Sequence, residues 1–299
     1  MITYFQAIII GIFQGVTELF PISSLGHSVL LAWLFNWHGI SNGETQKGSN
    51  FLLFLVILHV ATALALLLFY RETWARIAKG FFKSVAERSV DTPDGKLAWL
   101  LIVATVPAGL VGLIFQNSLR SLFAKPLSAV IFLFINGCIL LFGDWYQKNH
   151  AKTTSHRSKH SVSETTENVS QTITMQRSVF IGTAQVGALF AGISRSGITM
   201  VSGLVSGLDH EDSARFAFLL ATPIIFGAGL VELPNFFSHL SANMRGEMLV
   251  GAIAAGIAAY ISVKFLDKYF RDKTLKPFGI YCICASLVLV LVGLMRGSF

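Results

Sequence analysis

Apolar positions along this chain come in long unbroken runs, not in the alternating or one-faced patterns of a water-soluble fold. Six runs, near residues 51–70, 97–115, 127–143, 214–232, 248–265 and 277–295, are each long enough to cross about 30 Å of hydrocarbon at about 1.5 Å per residue. They predict six full transmembrane helices. Two further apolar regions, 3–37 and 178–207, are interrupted by the polar, glycine-containing strings Pro21-Ile22-Ser23-Ser24-Leu25-Gly26-His27 and Ala191-Gly192-Ile193-Ser194-Arg195-Ser196-Gly197. Each predicts two half-helices that enter and leave on the same side. A break at membrane depth frees backbone amides and carbonyls, which only protein or a polar cavity can satisfy. Two breaks therefore predict a cavity.

The positive residues orient this arrangement. Connections 71–96, 144–177 and 264–276 hold most of the lysine and arginine, which marks their side as cytoplasmic. The opposite face keeps Lys47, Arg120, Lys125, Arg245 and Arg296 and carries both termini. The first broken pair then enters from outside and the second from inside, as an inverted repeat requires. Laid over each other without gaps, the two regions match Gly11 with Gly182, Gln14 with Gln185, Ile22 with Ile193, Ser23 with Ser194, and Gly26 with Gly197. The expected fold is an all-α polytopic membrane protein, with six full spans plus two re-entrant helix pairs in an inverted-topology repeat. Residues 1–299 form a single integral membrane domain: half-repeat 1–143, polar cytoplasmic linker 144–177 and half-repeat 178–299.

Composition agrees: 53% of the 299 residues are apolar and 13% charged, and the mean hydropathy is +0.63, against about 25% charged in a soluble domain. The net charge of +7 is spread over the connections and does not form one basic face, so no nucleic-acid partner is expected. The first twenty residues lack a basic leader and a small-residue cleavage site, and read as a retained segment. Cys138, Cys282 and Cys284 fall inside apolar runs, as small hydrophobes do. Stretch 147–177 is too polar to order a core, and His150, His156 and His160 within it read as solvated.

The chemistry is concentrated at the two breaks. Gln14 and Glu18 are four apart and share a helix face. A carboxylate at membrane depth costs about 3 kcal/mol on insertion scales, so it faces a cavity, a partner or an ion. Past Pro21, Ser23 and Ser24 are natural N-caps for the returning half-helix, and His27, one turn in, is expected to face the same cavity as Ser24. In the second string Arg195 offers a planar fork for phosphate oxygens. Ser194, Ser196 and Gly197 add hydroxyls and open backbone at a helix start, and Thr199 shares the face of Arg195. An Arg195–Glu18 ion pair closing the two repeats is the structural alternative, and both readings hold in turn if substrate and metal separate the pair. The charged string Asp209–Arg215 reads as a helix cap with a Glu211–Arg215 pair.

These residues resemble a known family. The string from Gln14 to His27 is similar to the acidic first motif of the bacterial undecaprenyl-diphosphate phosphatases, the bacitracin-resistance family, and Gly192 to Thr199 is similar to their second motif. Three positions depart: Gln14 stands where a Glu is frequent, Leu25 where many members have Thr, and Ala191 where many have Pro. They bear on metal stoichiometry and rate more than on reaction type. The resemblance implies a hydrolase that removes the terminal phosphate of a polyprenyl diphosphate, returning the carrier lipid to cell-wall synthesis. It implies Glu18, Ser24, His27 and Arg195 as catalytic residues and Ser23, Ser194, Ser196, Gly197 and Thr199 as substrate-binding residues. A divalent cation, Mg or Ca, would lie at Glu18 and Gln14. The attacking group stays open among His27, Ser24 and a metal-activated water, with His27 preferred as nucleophile or base. The expected setting is the bacterial inner membrane with the site facing the outer side, the partners being the polyprenyl diphosphate lipid and the bilayer; a homodimer is compatible. A polyprenyl-phosphate flippase or transporter is the alternative, because broken-helix inverted repeats also build carriers.

Overall fold

The computed structural model describes residues 2–37, 50–123, 125–150, 162–238 and 242–298. Among them the regular structure is helical: α1 (Tyr4–Thr17), α2 (Ser24–Leu34), α3 (Asn50–Phe69), α4 (Arg71–Glu87), α5 (Pro93–Phe123), α6 (Pro126–His150), α7 (Val162–Thr172), α8 (Met175–Ala184), α9 (Arg195–Val205), α10 (His210–Ser238), α11 (Ala242–Tyr269) and α12 (Lys276–Met295). A short 3-10 turn, Gln185–Leu189, follows α8.

Helices α5, α6, α10, α11 and α12 each carry a stretch long and apolar enough to cross a membrane. The sixth expected span, 51–70, is α3, which turns through 85° at Tyr70 into α4. Helix α4 does not continue the span: it is amphipathic, with Thr73, Ile77, Gly80 and Ser84 buried and Arg71, Lys79 and Lys83 exposed. Leu68, Leu110, Ile114, Ile257, Ile261 and Leu291 are exposed along the long helices, a surface that suits acyl chains and not water. The chain is an all-α, multi-pass membrane protein.

Helices meet through small residues, since lipid supplies no hydrophobic drive between them. Gly11 and Gly15 of α1 press on Gly251 and Ala255 of α11, and Gly182 of α8 presses on Ala104 of α5, so close that a Cβ at any of the three would strike backbone. Gly11 and Gly182, matched in the overlay, thus do the same work on different spans.

At the lysine- and arginine-rich end, Asp267 of α11 accepts from Tyr70, Arg215 and Arg271, each at 3.0 Å, and Arg215 also pairs with Glu211 one turn earlier at 3.0 Å. This network ties α3, α10 and α11 where the chain bends, and the 209–215 string is structural as its spacing predicts. The linker expected at 144–177 is more ordered than its composition suggests. Helix α6 runs on to His150, which stacks on Tyr146, and α7 tucks Val169 under α5 and α10, with Ile173 just beyond it also buried. Two buried aliphatics sufficed because the rest of the protein supplies the surface they cover. His156 and His160 lie outside the described residues.

Candidate active site

Both breaks are built from hydroxyl-capped half-helices. Helix α1 ends at Glu18, the chain turns through Pro21, and Ser23 caps α2 by accepting the Gly26 amide at 3.3 Å. Ser23 holds a φ of 73°, a left-handed conformation rare outside glycine. After α8 and its 3-10 turn, Gly192 (φ 111°) turns the chain and Ser194 caps α9 by accepting the Gly197 amide at 3.1 Å. Ser23 and Ser194, and Gly26 and Gly197, are matched in the overlay and play matched parts.

The breaks also touch. Ser23 Oγ accepts the Gly192 amide at 3.1 Å. Asn136, fully buried in the middle of α6, joins them from the side: its Nδ2 donates to the Pro21 carbonyl at 3.0 Å and its Oδ1 accepts the Ser194 amide at 2.9 Å. One asparagine therefore satisfies a freed carbonyl from one break and a freed amide from the other.

Glu18 is the hub. Its Oε1 takes the Arg195 guanidinium at 3.0 Å; its Oε2 takes Ser24 Oγ at 2.6 Å and Gln14 Nε2 at 3.0 Å, and His59 Nε2 stands 3.2 Å away. His59 reaches in from α3 with its Nδ1 held by the Leu55 carbonyl at 2.7 Å. Glu18, Ser24, His59, Gln185, Ser194 and Arg195 line a cavity of about 290 Å³ whose remaining wall is mostly aliphatic, including Val56, Leu189, Ile193 and Ile225. A buried hydroxyl bonded to a carboxylate, with a guanidinium on the carboxylate's other oxygen, is an arrangement able to supply a nucleophile, a base and an anion grip in one apolar pocket.

The family model described as bacitracin resistance protein BacA matches residues 7–288. This chain belongs to the BacA family. Its relatives include the undecaprenyl-diphosphatase of Mycolicibacterium paratuberculosis, 45% identical over 292 residues and 95% of each chain. Undecaprenyl-diphosphatase 2 of Frankia alni is 43% identical over 94% of this chain and 95% of its own. Undecaprenyl-diphosphatase 2 of Burkholderia thailandensis is 42% identical over 94% of this chain and 93% of its own.

In this BacA chain the expected site residues separate into those around the cavity and those behind it. Glu18, Ser23, Ser24, Ser194 and Arg195 line it, and Gln14 touches it through Glu18. Ser196 instead shares a hydrogen bond with Ser194 at 3.0 Å and faces the Phe20 carbonyl, Gly197 is packed against Leu140 and Pro21, and Thr199 is fully buried one turn in. These three shape the start of α9. The shared cavity expected for His27 and Ser24 is corrected. The His27 ring points to the other side of α2, where its Nδ1 meets the Ser23 carbonyl at 2.8 Å and its Nε2 meets Tyr281 of α12 at 2.9 Å, in a separate apolar recess. The reason is angular. Positions 24 and 27 are three apart, about 60° off register, and the Tyr281 hydroxyl draws the ring outward.

His59, Asn136 and Gln185 were not singled out as site residues from the sequence. Each had a signal, because a polar side chain inside an otherwise apolar span is costly unless something meets it. As to a cation, no three His, Cys, Asp or Glu side chains among the described residues converge so that they could hold a metal ion. Gln14, however, leaves its Oε1 buried with no partner among the described residues while its Nε2 sits on Glu18. A carboxylate and a spare amide oxygen fit a hard cation that draws its other ligands from phosphate and water, as Mg²⁺ does.

Proposed function

We propose that this chain hydrolyses undecaprenyl diphosphate to the monophosphate carrier lipid and inorganic phosphate, with Ser24 as the attacking group. The reading is carried by the Ser24–Glu18–Arg195 arrangement, in which one carboxylate accepts the serine hydroxyl on one oxygen and the guanidinium on the other. The relatives named above bear the same activity in their names over nearly the whole chain.

As the diphosphate enters, its terminal oxygens compete with Glu18 for Arg195, whose fork matches two phosphate oxygens. Ser23 and Ser194 sit at the cavity wall beside it. Once released from Arg195, Glu18 becomes a stronger base for the Ser24 proton, so substrate binding itself arms the nucleophile. A divalent cation held by Glu18 and Gln14 would supply neutralising charge to the phosphate. His27 acts outside the cavity, tying α2 to α12 through Tyr281.

The distribution of lysine and arginine supports a bacterial inner-membrane setting with the site open to the outer face. The matched work of Gly11 with Gly182 and Ser23 with Ser194 supports two halves of inverted topology. The test is phosphate release by the purified protein from undecaprenyl diphosphate, with chelator and with Mg²⁺ or Ca²⁺ restored. Release that stops with chelator and returns with the ion is expected; movement of the lipid across vesicles without phosphate release would replace the hydrolase with the carrier.

A further inference from the structure

Gln185 stands in the cavity wall with both ends of its amide unused. It is 1% exposed, it lines the same cavity as Glu18, Ser24 and Arg195, and its Oε1 and Nε2 are both buried without a hydrogen-bond partner among the described residues. Folded proteins keep such a group where a ligand or a bound water takes it up.

The overlay sharpens the vacancy. Gln14, the matching residue of the first half, gives its Nε2 to Glu18 one turn later. One turn after Gln185 stands Leu189, an aliphatic residue. The second half repeats the amide and omits the carboxylate that would occupy it. Gln185 ends α8, where its backbone amide is spent on Ile181 and Thr183, and Ala188, Leu189 and Ile193 leave its side chain in an apolar wall.

An amide offers a hydrogen-bond acceptor and a donor side by side. A water about to attack a phosphoryl group needs that pair: one of its hydrogens meets the acceptor, and a phosphoryl oxygen meets the donor. We propose that Gln185 positions the water that hydrolyses a phosphoserine formed at Ser24, an inference that rests on Ser24 being the attacking group.

In the first step the Ser24 Oγ–P bond forms, the bond from phosphorus to the bridging oxygen breaks, and the lipid monophosphate leaves with that electron pair. The Ser24 proton passes to Glu18 Oε2. In the second step the water oxygen bonds to phosphorus and the P–Oγ bond breaks. Oγ recovers a proton from Glu18, and the water's proton leaves with inorganic phosphate. Gln185 holds the water through Oε1 and steadies a phosphoryl oxygen through Nε2, a positioning task in the second step alone.

The test is acid quench of the detergent-purified full chain mixed with undecaprenyl diphosphate labelled in its terminal phosphate. The Gln185→Leu variant is expected to form about one acid-stable phosphoserine per chain at the wild-type rate. Its later turnover should then be about 100-fold slower, the usual scale for a misplaced reacting group. Gln185→Glu, which keeps an acceptor for the water, should recover part of that turnover, and it carries the measurement if Gln185→Leu does not fold. Equal slowing of phosphoserine formation and steady turnover, or turnover within threefold of wild type with no burst, overturns the role of Gln185 and leaves Ser24 in place. Turnover by Ser24→Ala, with no phosphoserine in any variant, overturns both assignments.

Discussion

Arg195 of α9 reaches into the first break and places NH2 3.0 Å from Glu18 Oε1. The contact closes the two halves of the chain over the cavity with a buried ion pair. Such a pair adds little net stability, because the solvation that each charge gives up offsets the attraction between them. Its persistence in an apolar pocket is explained if a phosphate takes the guanidinium in the working cycle. Arg195→Ala should lower phosphate release by about 100- to 1,000-fold, the scale for losing one preorganised donor to developing charge. Gln14, Ser24 and His59 still surround Glu18 in that variant, so its thermal midpoint in detergent should stay close to wild type. Arg195→Lys, which keeps the charge and loses the fork, should remain well below wild type.

Ser24 and His27 are separated by this structure into different recesses, and the two substitutions should separate as well. Ser24→Ala removes the hydroxyl held 2.6 Å from Glu18 and should reduce kcat by more than about 1,000-fold, as loss of a nucleophile does. His27→Ala removes a ring bonded to Tyr281 and to the Ser23 carbonyl, outside the cavity, and should leave kcat within about tenfold of wild type. A Tyr281→Phe variant should match His27→Ala if the ring acts through that tether. Steady-state kinetics on the three purified proteins decide it; a kcat for His27→Ala as low as that of Ser24→Ala would return the histidine to the reaction.

The sequence made the two breaks legible because glycine, proline and serine interrupt apolar runs only where the backbone must turn and be capped. Glu18 and Arg195 stood out for a related reason, the cost of charge in lipid. What stayed hidden was direction. Residues 24 and 27 sit close enough in register to be read as one face, and only the position of Tyr281, more than 250 residues away in the chain, decides where the imidazole turns. The apolar run marked the end of α3 at Tyr70 but not the 85° turn into α4, since Asp267 and Arg215 that meet Tyr70 there arrive from distant spans. Asn136 shows a third limit. A lone amide in an apolar run announces a partner, but the Pro21 carbonyl and Ser194 amide become its partners only once both breaks are folded.

That double role makes Asn136 a test of how the breaks are held. Asn136→Leu keeps the branched shape of the side chain and removes its hydrogen bonds, leaving a buried carbonyl at Pro21 and a buried amide at Ser194 unmet. Each stranded group costs about 1–3 kcal/mol, so the thermal midpoint should fall clearly. Activity should fall with it, because Ser23 and Ser194 at the cavity wall flank the two freed groups. Asn136→Asp, which keeps the acceptor and loses the donor, should be damaged less at Ser194 than at Pro21. Unchanged melting and unchanged phosphate release in Asn136→Leu would show that the breaks hold each other without it.

The two breaks meet backbone on backbone at Gly26 and Gly192. A Cβ on Gly26 would lie 2.8 Å from both the Cα and the N of Gly192, which are backbone and cannot swing aside, and 3.1 Å from Ser23 Oγ. Gly26→Ala must therefore push the breaks apart, stretching the bond from the Gly192 amide to Ser23 at 3.1 Å and drawing Ser24 away from Arg195. Stability and activity should both drop, unlike Ser24→Ala, which should lose activity alone. Gly109, midway along α5, is the matched control: nothing lies within 4 Å of a Cβ there. Gly109→Ala should leave activity unchanged and gain up to about 0.5–1 kcal/mol from the helix propensity of alanine. Thermal melts and phosphate release measured on the two glycine variants together distinguish a required contact between the halves from general sensitivity of glycines in a membrane helix; equal behaviour of the two would remove the contact from the account of the site.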